Sequence, residues 1–137
     1  MKFERCTNAL FVPRSLLGQL PDNEFDADRF YEFMSIALES PTQMLYLLLD
    51  DDNVVRGFLW CEINVLEKVM FVNTLSVDKE LWGGGEMVKF AMEFLKGIFH
   101  NLKLNKAIWI TDKPALFERF GFQISKQVLL EYTGKEE

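Results

Sequence analysis

Val69-Met70-Phe71-Val72-Asn73-Thr74-Leu75-Ser76-Val77, then Asp78-Lys79-Glu80-Leu81-Trp82, then Gly83-Gly84-Gly85-Glu86-Met87-Val88-Lys89-Phe90: an apolar strand, a short polar step, three glycines and the start of an amphipathic helix. A glycine-rich turn entering a helix offers backbone N–H groups and the positive end of the helix dipole to whatever sits above it. Such a turn suits a phosphate or pyrophosphate. It also serves as a tight strand-to-helix connection with no ligand, and a lone glycine run does not decide between the two.

Outward from this block, the order of elements narrows the fold. Lys2–Cys6 reads as a first strand, Pro13–Leu20 as a short helix ending near Pro21. Phe30, Phe33, Met34, Ala37 and Leu38 fall at helical spacing after an N-cap at Asp26 or Asp28, before Pro41. Gln43–Asp50, Val54–Ile63 and Val69–Val77 read as strands whose links are only a few residues long, so they pair as antiparallel hairpins. In the glycine-led helix, Met87, Phe90, Ala91, Phe94 and Ile98 share a face that Val88, Leu95 and Phe99 widen. A strand at Ala107–Thr111, a helix through Pro114–Phe120 and a last strand at Gln123–Tyr132 complete the reading, with no internal repeat and no linker.

Composition bounds the function. A chain of 137 residues with 13 Phe and three Trp fits one compact domain over residues 1–137, burying on the order of two-thirds of its unfolded surface. No run is long enough to span a membrane, and Met1-Lys2-Phe3-Glu4-Arg5 lacks the apolar region of a signal peptide. Two cysteines, Cys6 and Cys61, fall short of a disulfide framework or a metal cluster, so a reduced cytoplasmic setting is expected and no metal. The formal charge of −6 argues against nucleic acid as a partner and favours a cationic substrate; equally, Asp22, Glu24, Asp26 and Asp28 serve as a solvated acidic surface. His100, the single histidine, falls at the end of the glycine-led helix, where it favours the dipole.

Two glycine-loop folds are excluded. A dinucleotide-binding fold starts with its glycine turn and needs parallel strands joined by helical crossovers, whereas here a meander comes first. A P-loop needs Lys-Ser/Thr after its glycines, and Glu86-Met87 stand there instead.

The chain resembles the GNAT superfamily of N-acetyltransferases, at two places above all. The family reads approximately Leu-x-Val-x-Pro-x-x-Arg-Gly-x-Gly-x-Gly/Ala where this chain has Leu75 through Met87. It reads Ala-x-Tyr-Glu-Lys-Leu-Gly-Phe where this chain has Ala115-Leu116-Phe117-Glu118-Arg119-Phe120-Gly121-Phe122, with Gly121 placed to end a helix. The resemblance implies an α/β (α+β) fold: a mixed, mostly antiparallel twisted sheet of about six to seven strands flanked by about four helices. It implies acetyl-CoA as co-substrate, in a wedge between the fourth and fifth strands, and an amine-bearing small molecule or protein as acceptor. The pantetheine arm would pair with Leu75, Ser76 and Val77, and the pyrophosphate would lie on Trp82, Gly83, Gly84, Gly85, Glu86 and Met87.

Departures from the family pattern bear on the chemistry. Trp82 replaces the Arg or Gln that opens the loop, Met87 replaces a small residue, and Glu86 puts a carboxylate at the anion site, with Lys79 and Lys89 the nearest compensating cations. Phe117 replaces the tyrosine that serves as acid, and no carboxylate lies between Glu67 and Asp78 to act as base. Thr111 and Asp112 stand where an asparagine is common, Asp112 reading as the N-cap of the Pro114 helix. Glu62, Glu67 and Glu80 flank the wedge as alternative bases, and Tyr31, Tyr46 and Tyr132 are the available phenols. No catalytic residue is assigned. Two readings follow: an N-acetyltransferase relying on orientation, or a degenerate module of the same fold that binds CoA or a protein partner.

Overall fold

Short connections dictate the sheet. In the computed structural model, which describes residues 1–20, 26–81, 83, 85–111 and 113–134, β1 (Lys2–Cys6), β2 (Gln43–Leu49), β3 (Val55–Asn64) and β4 (Val69–Val77) run antiparallel to their neighbours. β5 (Lys106–Trp109) follows the long helix α3 (Glu86–Asn101) and pairs parallel to β4, as a helical crossover requires. The order is β1-β2-β3-β4-β5. Helices α1 (Arg14–Leu17), α2 (Ala27–Ala37) and α4 (Pro114–Glu118) complete the fold with short 3-10 turns at Ala9–Phe11 and Lys79–Leu81.

Each face of the sheet has its own apolar layer. Leu16 and Leu17 of α1 and Phe30 and Met34 of α2 pack with Leu45, Leu47, Leu49 and Phe58. Leu95 and Ile98 of α3 pack with Met44, Leu59, Cys61, Met70 and Val72. The caps follow local chemistry. Asp26 starts α2 by accepting from the N–H groups of Asp28 and Arg29, and Gly121, at φ +95°, turns the chain after α4 where a Cβ would be strained. No helix among the described residues is long and apolar enough to cross a membrane.

Among the described residues five strands form, fewer than the six to seven expected. The missing one is Gln123–Tyr132. Its side chains Ile124, Val128, Leu129, Leu130 and Tyr132 are exposed, and the Ser125 hydroxyl accepts from Gln127 N–H in a local turn that competes with a ladder. Apolar content made the segment look like a strand, but a strand needs a neighbour. Other boundaries shift: α1 covers only Arg14–Leu17 of Pro13–Leu20, and β5 stops at Trp109. Lys113 takes the N-cap position of α4, without a side-chain bond; Asp112, expected there, lies outside the described residues, as do Pro21, Asp22 and Glu24.

Candidate functional site

The parallel pair ends early, and that opens the site. β4 and β5 are in register from Val69–Lys106 to Val72–Trp109, and beyond this β4 continues to Val77 without β5. At the parting point β4 carries a bulge: Trp60 pairs with Thr74 and Cys61 with Val72, leaving Asn73 as the extra residue. On the other edge of β4 the ladder to β3 persists, and Asp78 N–H donates to the Arg56 carbonyl at 2.8 Å. Antiparallel bonds alternate, so Thr74 and Ser76 aim their backbone groups at β3 while Leu75 and Val77 aim theirs into the gap. The Gln19 side chain confirms that direction, its Nε2 reaching the Val77 carbonyl at 3.0 Å from the side away from β3.

The gap is a cavity of about 470 Å³, within the range of small-molecule sites. Leu75, Ser76 and Val77 form one wall; Trp109 of β5 with Leu116 and Phe117 of α4 form the other. Gly83, Gly85, Met87 and Val88 close the end where α3 begins, with Arg119 beside them. Gly85 is the N-cap of α3, at φ +74° and with no side-chain cap. A methyl group built on it would stand 3.2 Å from Arg119 Nη2. The helix therefore opens toward the cavity with its positive end uncovered by any side-chain acceptor among the described residues.

Of the nine residues expected to bind the cofactor, Leu75, Ser76, Val77, Gly83, Gly85 and Met87 line this one cavity. Glu86 is exposed in the first turn of α3 and is not part of the lining. Trp82 and Gly84 lie outside the described residues. Ser76 is buried, its hydroxyl donating to the Leu16 carbonyl at 3.0 Å and thereby fastening β4 to α1. Lys79 and Lys89 are exposed and away from the lining.

The alternative acids and bases have other engagements. Glu80 pairs with Arg56 at 3.2 Å, Glu67 sits in the exposed turn that Asn64 caps, and Glu62 accepts from Gln43 Nε2, whose Oε1 in turn takes the Trp60 indole N–H at 2.8 Å. Tyr31 donates to the Val12 carbonyl. Tyr46 lies edge-on to Phe94, its phenol pushed up by burial, and Tyr132 is exposed. Among the described lining residues only Arg119 is ionisable. Phe117 packs against Trp109 with ring centroids 4.4 Å apart and the planes tilted by 42°.

Sequence reasoning missed Gln19 and Arg119. Gln19 has no local signal, because it meets Val77 and Lys79 across some sixty residues of chain. Arg119 was within reach, since it belongs to the quoted stretch Ala115–Phe122 and is that stretch's only cation.

The sequence matches no protein-family model and no curated protein. Solved structures do match. AAC(6')-Iy, in complex with the bisubstrate analogue CoA-S-monomethyl-acetylneamine, superposes with a TM-score of 0.75 at 15% identity, covering 96% of this chain and 97% of that one. A possible acetyltransferase from Clostridium difficile 630 gives 0.76 at 12% identity, covering 98% of each. Aminoglycoside 6'-N-acetyltransferase AAC(6')-Ih from Acinetobacter baumannii gives 0.72 at 11%, covering 98% and 99%. At such identities the likeness is one of fold, and the fold is that of the GNAT acetyltransferases.

Proposed function

We propose that this chain is an acetyl-CoA-dependent N-acetyltransferase acting on an amine of a small molecule or protein. The observation that carries the reading is the splay of β4 from β5, which leaves the Leu75 backbone facing a cavity that ends on the glycine-capped start of α3. The residues present fit the cofactor. An edge strand offering N–H and C=O suits the amides of a pantetheine arm, apolar walls suit its methylenes, and an uncapped helix start suits its phosphates. In AAC(6')-Iy the same fold holds a CoA bisubstrate analogue.

Acetyl-CoA, when bound, supplies a thioester for the amine to attack and a thiol that leaves. The protein's own part is orientation. The Leu75 backbone would hold the arm along β4, beside the Val77 carbonyl that Gln19 already engages; Trp109 and Phe117 would exclude water, and the start of α3 would anchor the phosphate end. Proximity of this kind contributes several kcal/mol, about 7–11 in the best-oriented systems. No lining side chain among the described residues can take the ammonium proton. The amine then loses it to water, and kcat/KM should rise with pH up to the acceptor's own amine pKa. The chain's net charge of −6 suits a cationic acceptor.

Titration calorimetry with acetyl-CoA and CoA, followed by a thiol-release assay over a panel of primary amines, tests the reading. Saturable binding with amine-dependent CoA release is expected, together with a rise in melting temperature on adding acetyl-CoA. No binding at millimolar ligand sinks the proposal. Tight binding with no turnover on any amine converts the chain into a CoA-binding module of the same fold.

A further inference from the structure

Gln19 follows α1 and makes two hydrogen bonds to the backbone at the end of β4. Its Nε2 donates to the Val77 carbonyl at 3.0 Å, and its Oε1 accepts from Lys79 N–H at 3.0 Å. One acceptor and one donor fix which way round the amide lies. This is the pattern of a residue in a parallel strand, which donates to one carbonyl and accepts from the N–H two residues on. β5 is the parallel neighbour of β4 but ends at Trp109, opposite Val72. A single side-chain amide thus stands on the stretch of edge that β5 leaves uncovered, and it lines the cavity there.

The fold does not need these bonds to hold α1. Leu16 and Leu17 are buried in the apolar layer against the sheet, and the Leu16 carbonyl accepts from the Ser76 hydroxyl at 3.0 Å. Gln19 is only half-buried, so its side chain can turn to water with α1 in place.

We propose that Gln19 is a placeholder, its side-chain amide keeping the β4 edge paired until an amide of the cofactor's arm takes its position; the inference rests on the acetyl-CoA reading above. An arm that runs from Leu75 to the start of α3 passes the Val77–Lys79 step, where Gln19 stands. An extended ligand gains affinity on a sheet edge through backbone hydrogen bonds, and an amide of the arm offers the same donor and acceptor as the glutamine. The exchange conserves the bonds to β4. Only the state with Gln19 turned away accepts the arm, so the apparent dissociation constant rises by the inverse of that state's fraction. Without the arm, the glutamine keeps covered an edge that would otherwise invite pairing with other chains.

Calorimetry with three ligands tests this: CoA and S-acetyl-pantetheine, which carry the arm's amides, and adenosine 3',5'-bisphosphate, which lacks them. In Gln19→Ala, CoA and S-acetyl-pantetheine should both bind about five- to fiftyfold more tightly, the range that releasing two neutral hydrogen bonds implies. Adenosine bisphosphate should bind as to the parent. Gln19→Met keeps the length of the side chain without its amide, and it carries the comparison if circular dichroism shows that the alanine variant does not fold. In the parent, the Gln19 side-chain NH2 resonances, identified by their loss in the variant, should exchange with solvent faster once S-acetyl-pantetheine is bound. Slower or unchanged exchange would overturn the placeholder, as would unchanged affinity in the variants, and both leave the acetyl-CoA reading standing. Weaker binding of the amide ligands would make Gln19 part of what holds the arm, and a gain shared by adenosine bisphosphate would make it a general obstruction; either overturns the proposal. A parent and variants that bind neither CoA nor S-acetyl-pantetheine overturn the acetyl-CoA reading itself.

Discussion

Phe117 and Trp109 close one side of the cavity with rings in tilted contact, and neither side chain can transfer a proton at neutral pH. If the thiol leaves unassisted, its departure limits turnover once the amine is in place. Phe117→Tyr adds a hydroxyl at nearly constant shape in a ring already held by Trp109 and Phe122. Turnover of a good amine acceptor should rise by about a hundredfold, the low end of what positioned acids contribute, and acetyl-CoA affinity should scarcely move. Steady-state kinetics and calorimetry on the same preparation separate the two. A fast parent that gains nothing from the tyrosine would mean that departure of the thiolate does not limit turnover or that another donor serves it. Ser76 is the contrasting residue on the opposite wall. Its hydroxyl is spent on the Leu16 carbonyl at 3.0 Å, so its polar group serves the joint between β4 and α1 rather than the chemistry.

At the level of elements, Gly85 matters more than the glycine run as a whole. It caps α3 at φ +74° and leaves the space that Arg119 occupies. Gly85→Val introduces a β-branched side chain at a backbone conformation it opposes and pushes on the guanidinium. CoA binding should be lost by calorimetry, while far-ultraviolet circular dichroism stays near the parent because the rest of α3 is held by Ala91, Met92, Leu95 and Ile98. Equal affinity in both proteins would place the anion site elsewhere. Much of this architecture was legible in the sequence, for a physical reason: β4 and α3 have strong local periodicities, so Val69–Val77 formed with the bounds its apolar run implies. Tertiary features were not legible. The bulge at Asn73 exists only relative to β3, Gln19 reaches β4 from a distant loop, and Gln123–Tyr132 has strand composition without a strand beside it. The candidate site was half legible. Its β4 edge and glycines come from local patterns, whereas Arg119 gains meaning only when α4 is folded back onto α3.

Across the whole molecule, the sheet is buried on both faces, and that sets how stability responds to alkali. Cys61 lies at its centre, fully buried between Met70, Leu59 and Leu95, and burial pushes its thiol up to about 12. Burial also raises the Cys6 thiol and the phenols of Tyr31 and Tyr46. In the unfolded chain these thiols ionise near their ordinary value, so between about pH 9 and 12 the unfolded state binds fewer protons than the native state, and stability must fall with pH over that window. Below about pH 9 both states hold the thiol protons and this contribution is fully present. Urea midpoints should therefore stay level from these groups up to about pH 9 and decline above it. Cys61→Ala costs some packing at neutral pH, because it removes a buried sulfur, but its decline above pH 9 should be shallower than the parent's. An equal slope in both proteins would assign the alkaline loss to the phenols and Cys6 instead. Cys61, covered and held as the thiol, should react with a thiol reagent at pH 8 only as fast as the sheet opens.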